Sequence, residues 1–304
     1  MFTETIEELA KKDKDIFVVT TDATGSATLD SYAKNLPEQF VEVGIAELDA
    51  VGISAGLSTY GKKVFYFSPA SFLTARSYEQ IKVDIGYANS KVRLIGISGG
   101  VSYGALGLTH HSINDIAAIR SLPNVDIVFP CDRWQTKLLT EYLAGDIERP
   151  VYVRVGRGAV EDVYTEKNAK FEFGKADMVR IGNDITIIAA GEMVYPAVQA
   201  SISLAEQGIG ARVLNMHTLK PLDSEAILKA AKETKAIITI EEHSILGGLG
   251  GAAAEVICQS DCRVPMRILG LPNTPVVTGN SNEVFSFYGL NKDGICKTAL
   301  EILK

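Results

Sequence analysis

Short apolar runs rich in β-branched residues alternate along the chain with stretches whose apolar residues recur at intervals of three and four. Residues 16–20, 64–67, 92–97, 126–129 and 151–155 read as strands, and 46–57, 75–88 and 134–143 as helices. Strands this uniformly apolar belong in a mainly parallel sheet covered on both faces, which predicts an α/β, doubly wound first domain over residues 1–160. Residues 161–174 are polar and acidic and read as a linker. The alternation then restarts, with strands at 185–190, 211–215, 236–240 and 264–269 and helices at 195–206, 224–233 and 249–259. A second, smaller domain of the same class is predicted over 175–304, with no internal repeat and no low-complexity tract.

Composition narrows the function without naming it. Hydrophobic residues are 46% and charged residues 22% of the 304, as in folded soluble proteins, and the net charge of −7 argues against a nucleic-acid surface. Four cysteines without a CxxC pair suggest a reducing compartment, and Cys258 and Cys262, four apart, read as core thiols rather than metal ligands. The first residues, MFTETIEELAKKDKD, predict a helix start with a Thr5–Glu8 capping box, not a signal peptide. Without a run of eighteen apolar residues, no membrane span is expected, and a cytoplasmic location is the default.

Several segments carry candidate chemistry. In FVEVGIAELDAVGISAGL, Glu47 interrupts an apolar, Gly- and Ala-rich strand-to-helix transition, either as a first-turn carboxylate favoured by the helix dipole or as an acid placed to meet a ring nitrogen. SPASFLTARSYEQIKVDI places Phe72, Arg76 and Gln80 at spacings of four, either packed in the core or lining a cleft, with Tyr78 reading more simply as a packed helix residue. GGVSYGALGLTHHSINDIAAI is a glycine-rich loop ending in two histidines, where Ser112 and Asp115 would suit a helix cap and His110 would suit proton transfer. PVYVRVGRG ends a strand with Arg154 and Arg157, each a substrate anchor or a domain-interface ion pair. His243 follows two glutamates ahead of a glycine cluster and reads as interface structure before metal or catalysis.

G-I-A-E at 44–47, followed by its Gly/Ala-rich helix, resembles the pyrimidine-domain motif of transketolases and deoxyxylulose-phosphate synthases. The resemblance implies that Glu47 contacts N1′ of the thiamine aminopyrimidine, that Phe72 stacks on that ring, and that Arg76 and, less directly, Asp22 lie beside the cofactor. T-H-H-S resembles the family's D-G-x-T-H-Q segment, which makes His110 the histidine near the substrate oxygen, and Arg154 is the expected phosphate or carboxylate anchor. Leu106 replaces the family's aspartate and His111 its glutamine, and no additional donor-side histidine stands near Gly96 to Gly100, so the donor is expected to differ from a common pentose or hexose phosphate.

The similarity extends over AAGEMVYPAVQAS, LNMHTLKPLD and IEEHSILGGLGGAAAEV to the transketolase C-terminal domain, but covers only the later half of a full-length transketolase. The family's diphosphate-binding G-D-G motif is absent. The resemblance therefore implies the C-terminal subunit of a split transketolase, moving a two-carbon ketol unit from a ketose or ketose phosphate to an aldose. Its thiamine diphosphate and Mg2+ would be held mainly by an N-terminal subunit, in a heterotetramer with two copies of each chain. The beta subunit of a 2-oxoacid dehydrogenase, a deoxyxylulose-phosphate synthase-like half-enzyme and a non-catalytic binding module are the alternatives.

Overall fold

The computed structural model describes all 304 residues as two sheets with helices on both faces. In the first sheet, β1 (Ile16–Thr20), β2 (Phe40–Glu42), β3 (Lys63–Pro69), β4 (Arg93–Ile97), β5 (Asp126–Val128) and β6 (Val151–Arg154) are parallel, in the order β5-β6-β4-β3-β1-β2. After β1 the chain steps to one side for β2 and returns to the other for β3, creating a topological switch point between β1 and β3. Ligands of open α/β sheets gather at the carboxyl ends of the strands beside such a point. The second sheet contains β7 (Asp177–Arg180), β8 (Ile185–Ala189), β9 (Ala211–Asn215), β11 (Ala236–Ser244) and β12 (Met266–Leu271), ordered β12-β11-β8-β9-β7, with β7 antiparallel to β9.

Strand β10 (Thr218–Lys220) lies in the second half of the sequence but pairs antiparallel with β5, at the edge of the first sheet. One core cluster accordingly joins Phe129 and Ile127 of the first sheet to Leu219, Leu214 and Leu249. The connecting segment is packed as well: Asp132 accepts backbone N–H groups from Val163 at 2.9 Å and Tyr164 at 2.8 Å, and Phe173 stacks on Tyr142 at 5.2 Å. Asp132 also caps the helix Arg133–Ala144 through Gln135 N, so one carboxylate fixes a helix start and the chain crossing beside it.

Several local expectations are corrected. The first helix is Phe2–Ala10, so Thr5 lies inside it and returns its hydroxyl to the Met1 carbonyl at 2.8 Å instead of opening a capping box. The helix expected over 75–88 begins at Ala70 and breaks at Ser77, and residues Ile81–Tyr87 form a π-helix. The buried positions Leu73, Ser77, Ile81 and Ile85 explain this: they recur every four residues, which a regular helix rotates by about 40° per step, and a wider π turn swings them back onto one face. The break also removes the regular helical register that would set Gln80 above Arg76. Ser112 caps nothing, since Asn114 occupies the cap position of Asp115–Arg120 and the Ser112 hydroxyl is unpartnered. Cys258 is exposed at the last turn of Leu249–Cys258 and so is not a core thiol, while Cys262, half-buried beyond it, packs against the core. No helix is long and apolar enough to cross a membrane.

Candidate active site

Apart from the His243 segment, which ends β11 in the second sheet, the segments singled out by their chemistry lie at or after the carboxyl ends of first-sheet strands. Glu47 opens the helix Glu47–Thr59 after β2, where negative charge is favoured by the helix dipole, and its side chain is only 5% exposed. Arg76 donates to Glu47 Oε1 at 3.0 Å, while no hydrogen bond from this chain reaches Oε2. The Arg76 guanidinium lies 4.1 Å from the centre of the half-buried Phe72 ring. His110 meets Phe72 edge-on at 5.3 Å and Tyr103 at 5.4 Å, and Arg157 covers Tyr103 at 5.2 Å. Glu47, Arg76, Phe72, His110, Tyr103 and Arg157 thus form one continuous line from a buried carboxylate to an exposed cation. The Thr109 hydroxyl lies 2.9 Å from His110 Nδ1 and steadies that ring.

Asp22 lies after β1, exposed and at positive φ, its N–H donating to Glu42 Oε1 at 2.7 Å, so it belongs to the Glu42 turn rather than to the Glu47 line. His111 is buried, with Nε2 3.0 Å from the Gly104 carbonyl, a contact that requires a protonated Nε2 and leaves Nδ1 as an acceptor without a partner. Leu106 stands 55% exposed on the same loop. Tyr78 packs against the core and shares a 2.9 Å hydrogen bond with Ser121.

Arg154 is buried, donating to the Glu242 carbonyl at 2.6 Å and lying 3.4 Å from Asp115 and 3.5 Å from the Glu242 carboxylate. Burial works against its charge, but Asp115 and Glu242 outweigh it and raise its pKa. Of the two readings for Arg154, this geometry corresponds to the domain-interface ion pair. Arg157 borders a cavity of about 750 Å³ whose walls include Ser26, Thr28, Ser98 and Arg133. Arg133 is paired with Asp162 at 2.7 Å, which leaves Arg157 as the unpaired cation on that wall. Tyr103 was missed by sequence reasoning; the signal that could have found it is an aromatic residue inside a glycine-rich loop, seven residues before His110.

The family "Transketolase, pyrimidine binding domain" matches residues 1–162, and "Transketolase, C-terminal domain" matches 174–295. The chain belongs to the transketolase family. It is 58% identical over 303 residues to a subunit of the apulose-4-phosphate transketolase of Phocaeicola vulgatus, covering 100% of this chain and 96% of that one. A solved structure described as "Split gene transketolase, inactive beta4 tetramer" superposes with a TM-score of 0.88 at 34% identity, covering 99% of this chain and 96% of that one. The "1-deoxy-D-xylulose-5-phosphate synthase" of Desulfotalea psychrophila is more distant, 35% identical across 100% of this chain but only 47% of its own length.

Proposed function

We propose that this chain is the C-terminal subunit of a split, thiamine-diphosphate-dependent transketolase that moves a two-carbon ketol unit from a phosphorylated ketose to an aldose acceptor. The observation that carries the reading is the Glu47–Arg76–Phe72–His110 line at the strand ends beside the switch point. Its residues fit the cofactor's aminopyrimidine: Glu47 keeps an oxygen free to meet a ring nitrogen, and Phe72 offers an aromatic surface beside it. When bound, thiamine diphosphate supplies the nucleophilic carbon needed to break and form the carbon–carbon bond.

Glu47 holds a proton at the ring nitrogen it meets, and Arg76 keeps the carboxylate aimed. His110 moves a proton at the substrate oxygen, its ring set by Phe72, Tyr103 and Thr109. Arg157, not Arg154, anchors the anionic end of the substrate, because it is the exposed guanidinium at the cavity without a carboxylate partner. The name of the Phocaeicola vulgatus relative favours apulose 4-phosphate as the substrate, consistent with Leu106 standing where many transketolases have aspartate. The diphosphate and Mg2+ belong to an N-terminal partner chain bearing G-D-G. Self-association is supported by the exposed Leu48 and Ile53 on the helix Glu47–Thr59 and by the beta4 tetramer of the solved relative. The more distant deoxyxylulose-phosphate synthases leave that activity as the weaker reading.

Calorimetric titration with thiamine diphosphate and Mg2+, with and without the G-D-G partner, tests this assignment. Tight binding and turnover of a ketose phosphate are expected only in the complex. Tight metal-dependent binding by this chain alone, or a cofactor-loaded complex inert toward ketose phosphates, would overturn it.

A further inference from the structure

Apart from Val101, buried in the second domain's core cluster, and Gly104 and Gly107, which lie against residues 278–280, the loop bearing Tyr103 and His110 has little packing of its own. Its neck is closed by Gly100 and Ser112, which exchange backbone hydrogen bonds at 3.0 and 2.7 Å, while Leu106 and Leu108 stand exposed on it. A segment with few buried apolar contacts needs support from elsewhere to hold one geometry. That support comes from consecutive residues at the end of β11. Glu242 Oε1 accepts the Val101 N–H at 2.8 Å, His243 Nε2 accepts the Ala117 N–H at 3.3 Å, and the Ser244 N–H donates to the Ile113 carbonyl at 2.8 Å. The second domain therefore grips both sides of the neck and the first turn of the helix that follows it.

The local sequence is shaped around this grip. Gly100 sits at φ +60°, and a Cβ there would collide with the Glu242 carboxylate and Arg154; at Gly99 it would collide with Arg154. Arg154 ties the brace back to β6 through the Glu242 carbonyl and to the helix Asp115–Arg120 through Asp115. The Tyr152 hydroxyl donates to Asp115 at 2.6 Å and closes the cluster from below.

We propose that Glu242 is a positioning residue for the His110 loop, through which the C-terminal domain sets the active-site geometry without touching substrate or cofactor. The inference rests on the catalytic reading of His110. The groups facing Glu242 are Arg154 from β6, Asp115 from the helix after the loop, Glu192 from the turn after β8, and its strand neighbours Glu241 and His243. Burial, then Glu192, push its carboxyl up to about 8 against the pull of Arg154. A carboxyl raised in this way costs the fold stability as pH rises from the ordinary carboxylate range to that value, although the Val101 N–H and Arg154 themselves favour the ionised form.

Hydrogen exchange of residues 100–113 and steady-state kinetics of the assembled complex test the proposal together. Losing the Val101 acceptor in Glu242→Ala should speed loop-neck exchange and lower kcat by about tenfold each, with thiamine diphosphate affinity held. Glu242→Gln keeps an acceptor oxygen and should restore both. Wild-type loop exchange in Glu242→Ala, or a Gln variant as impaired as Ala, would overturn it. Should Glu242→Ala fail to fold, wild-type protection of residues 100–113 in Glu242→Gln supports the brace, and loss of that protection in a folded Gln variant overturns it. Because exchange needs no turnover, failure of the brace is distinguishable from failure of the transketolase reading.

Discussion

Arg154 and Arg157 leave the same strand end three residues apart and face opposite circumstances. Arg154 turns into the domain junction, where Asp115 and the Glu242 carboxylate surround it; Arg157 turns outward over Tyr103 and borders the cavity. The contrast extends to the regions they belong to. The junction is a buried cluster of carboxyls gathered on one guanidinium, and the Glu47–Arg157 line is a row of part-buried rings and charges with an unused carboxylate oxygen at one end. Burial with matched partners commits a charge to structure, while partial exposure beside aromatic surface leaves it available for a ligand.

The largest effect is expected at the buried end of the cleft. Glu47→Ala in the assembled complex should leave folding and association intact while slowing exchange of the cofactor C2 proton by about 10²–10⁴-fold, as quenched-flow NMR would show. Wild-type exchange in a folded, loaded variant would reduce Glu47 to a helix-start carboxylate. At the junction, Arg154→Ala should cost about 3–5 kcal/mol of stability, read from the urea midpoint, because the buried Asp115 loses its counter-charge and the Glu242 carbonyl its donor. If that variant were stable and raised only KM, the assignments of the two arginines would have to be exchanged.

A third effect concerns pH. Burial holds His217 down at about 4 against its ordinary 6.5, so the folded state resists its protonation. Stability should be full above the ordinary value and fall by about 3 kcal/mol as pH drops through the depressed one. His217→Gln should flatten that acid-side loss in denaturation curves taken across the range. The smallest effect is expected at the cleft mouth: Arg157→Ala should raise KM for a phosphorylated ketose roughly ten- to a hundredfold, the loss of one charged hydrogen bond, with stability unchanged.

The largely buried strands were the easiest features to read: β1 follows its apolar run IFVV, and β9 its Ala211, Val213 and Leu214, although it also buries Arg212 and Asn215. Strands β2, β7 and β10 escaped notice: each is short, sits at a sheet edge and carries polar residues, as edge strands commonly do. The last two helices, Ser281–Tyr288 and Lys292–Ile302, were also not anticipated. In the cleft, the local motifs placed Glu47, Phe72 and His110 in order, and the structure brings them into one line with Arg76. Which arginine is committed and which is free was illegible, because the answer depends on Glu242, 88 residues from Arg154 and on the other domain.

Strand β10 has a consequence for how separable the two halves of the chain are. A fragment ending in the connecting segment would carry every parallel strand of the first sheet and still be incomplete, since β5 would lose its antiparallel neighbour. Its unpaired edge would be open to strand addition by any other chain, and Phe129 and Ile127 would lose the apolar neighbours that Leu219 and Leu214 supply. Two domains recognisable as units in sequence share a core cluster and a sheet edge in this protein, and a bisected reporter or fusion built at that connection should associate with itself instead of standing alone.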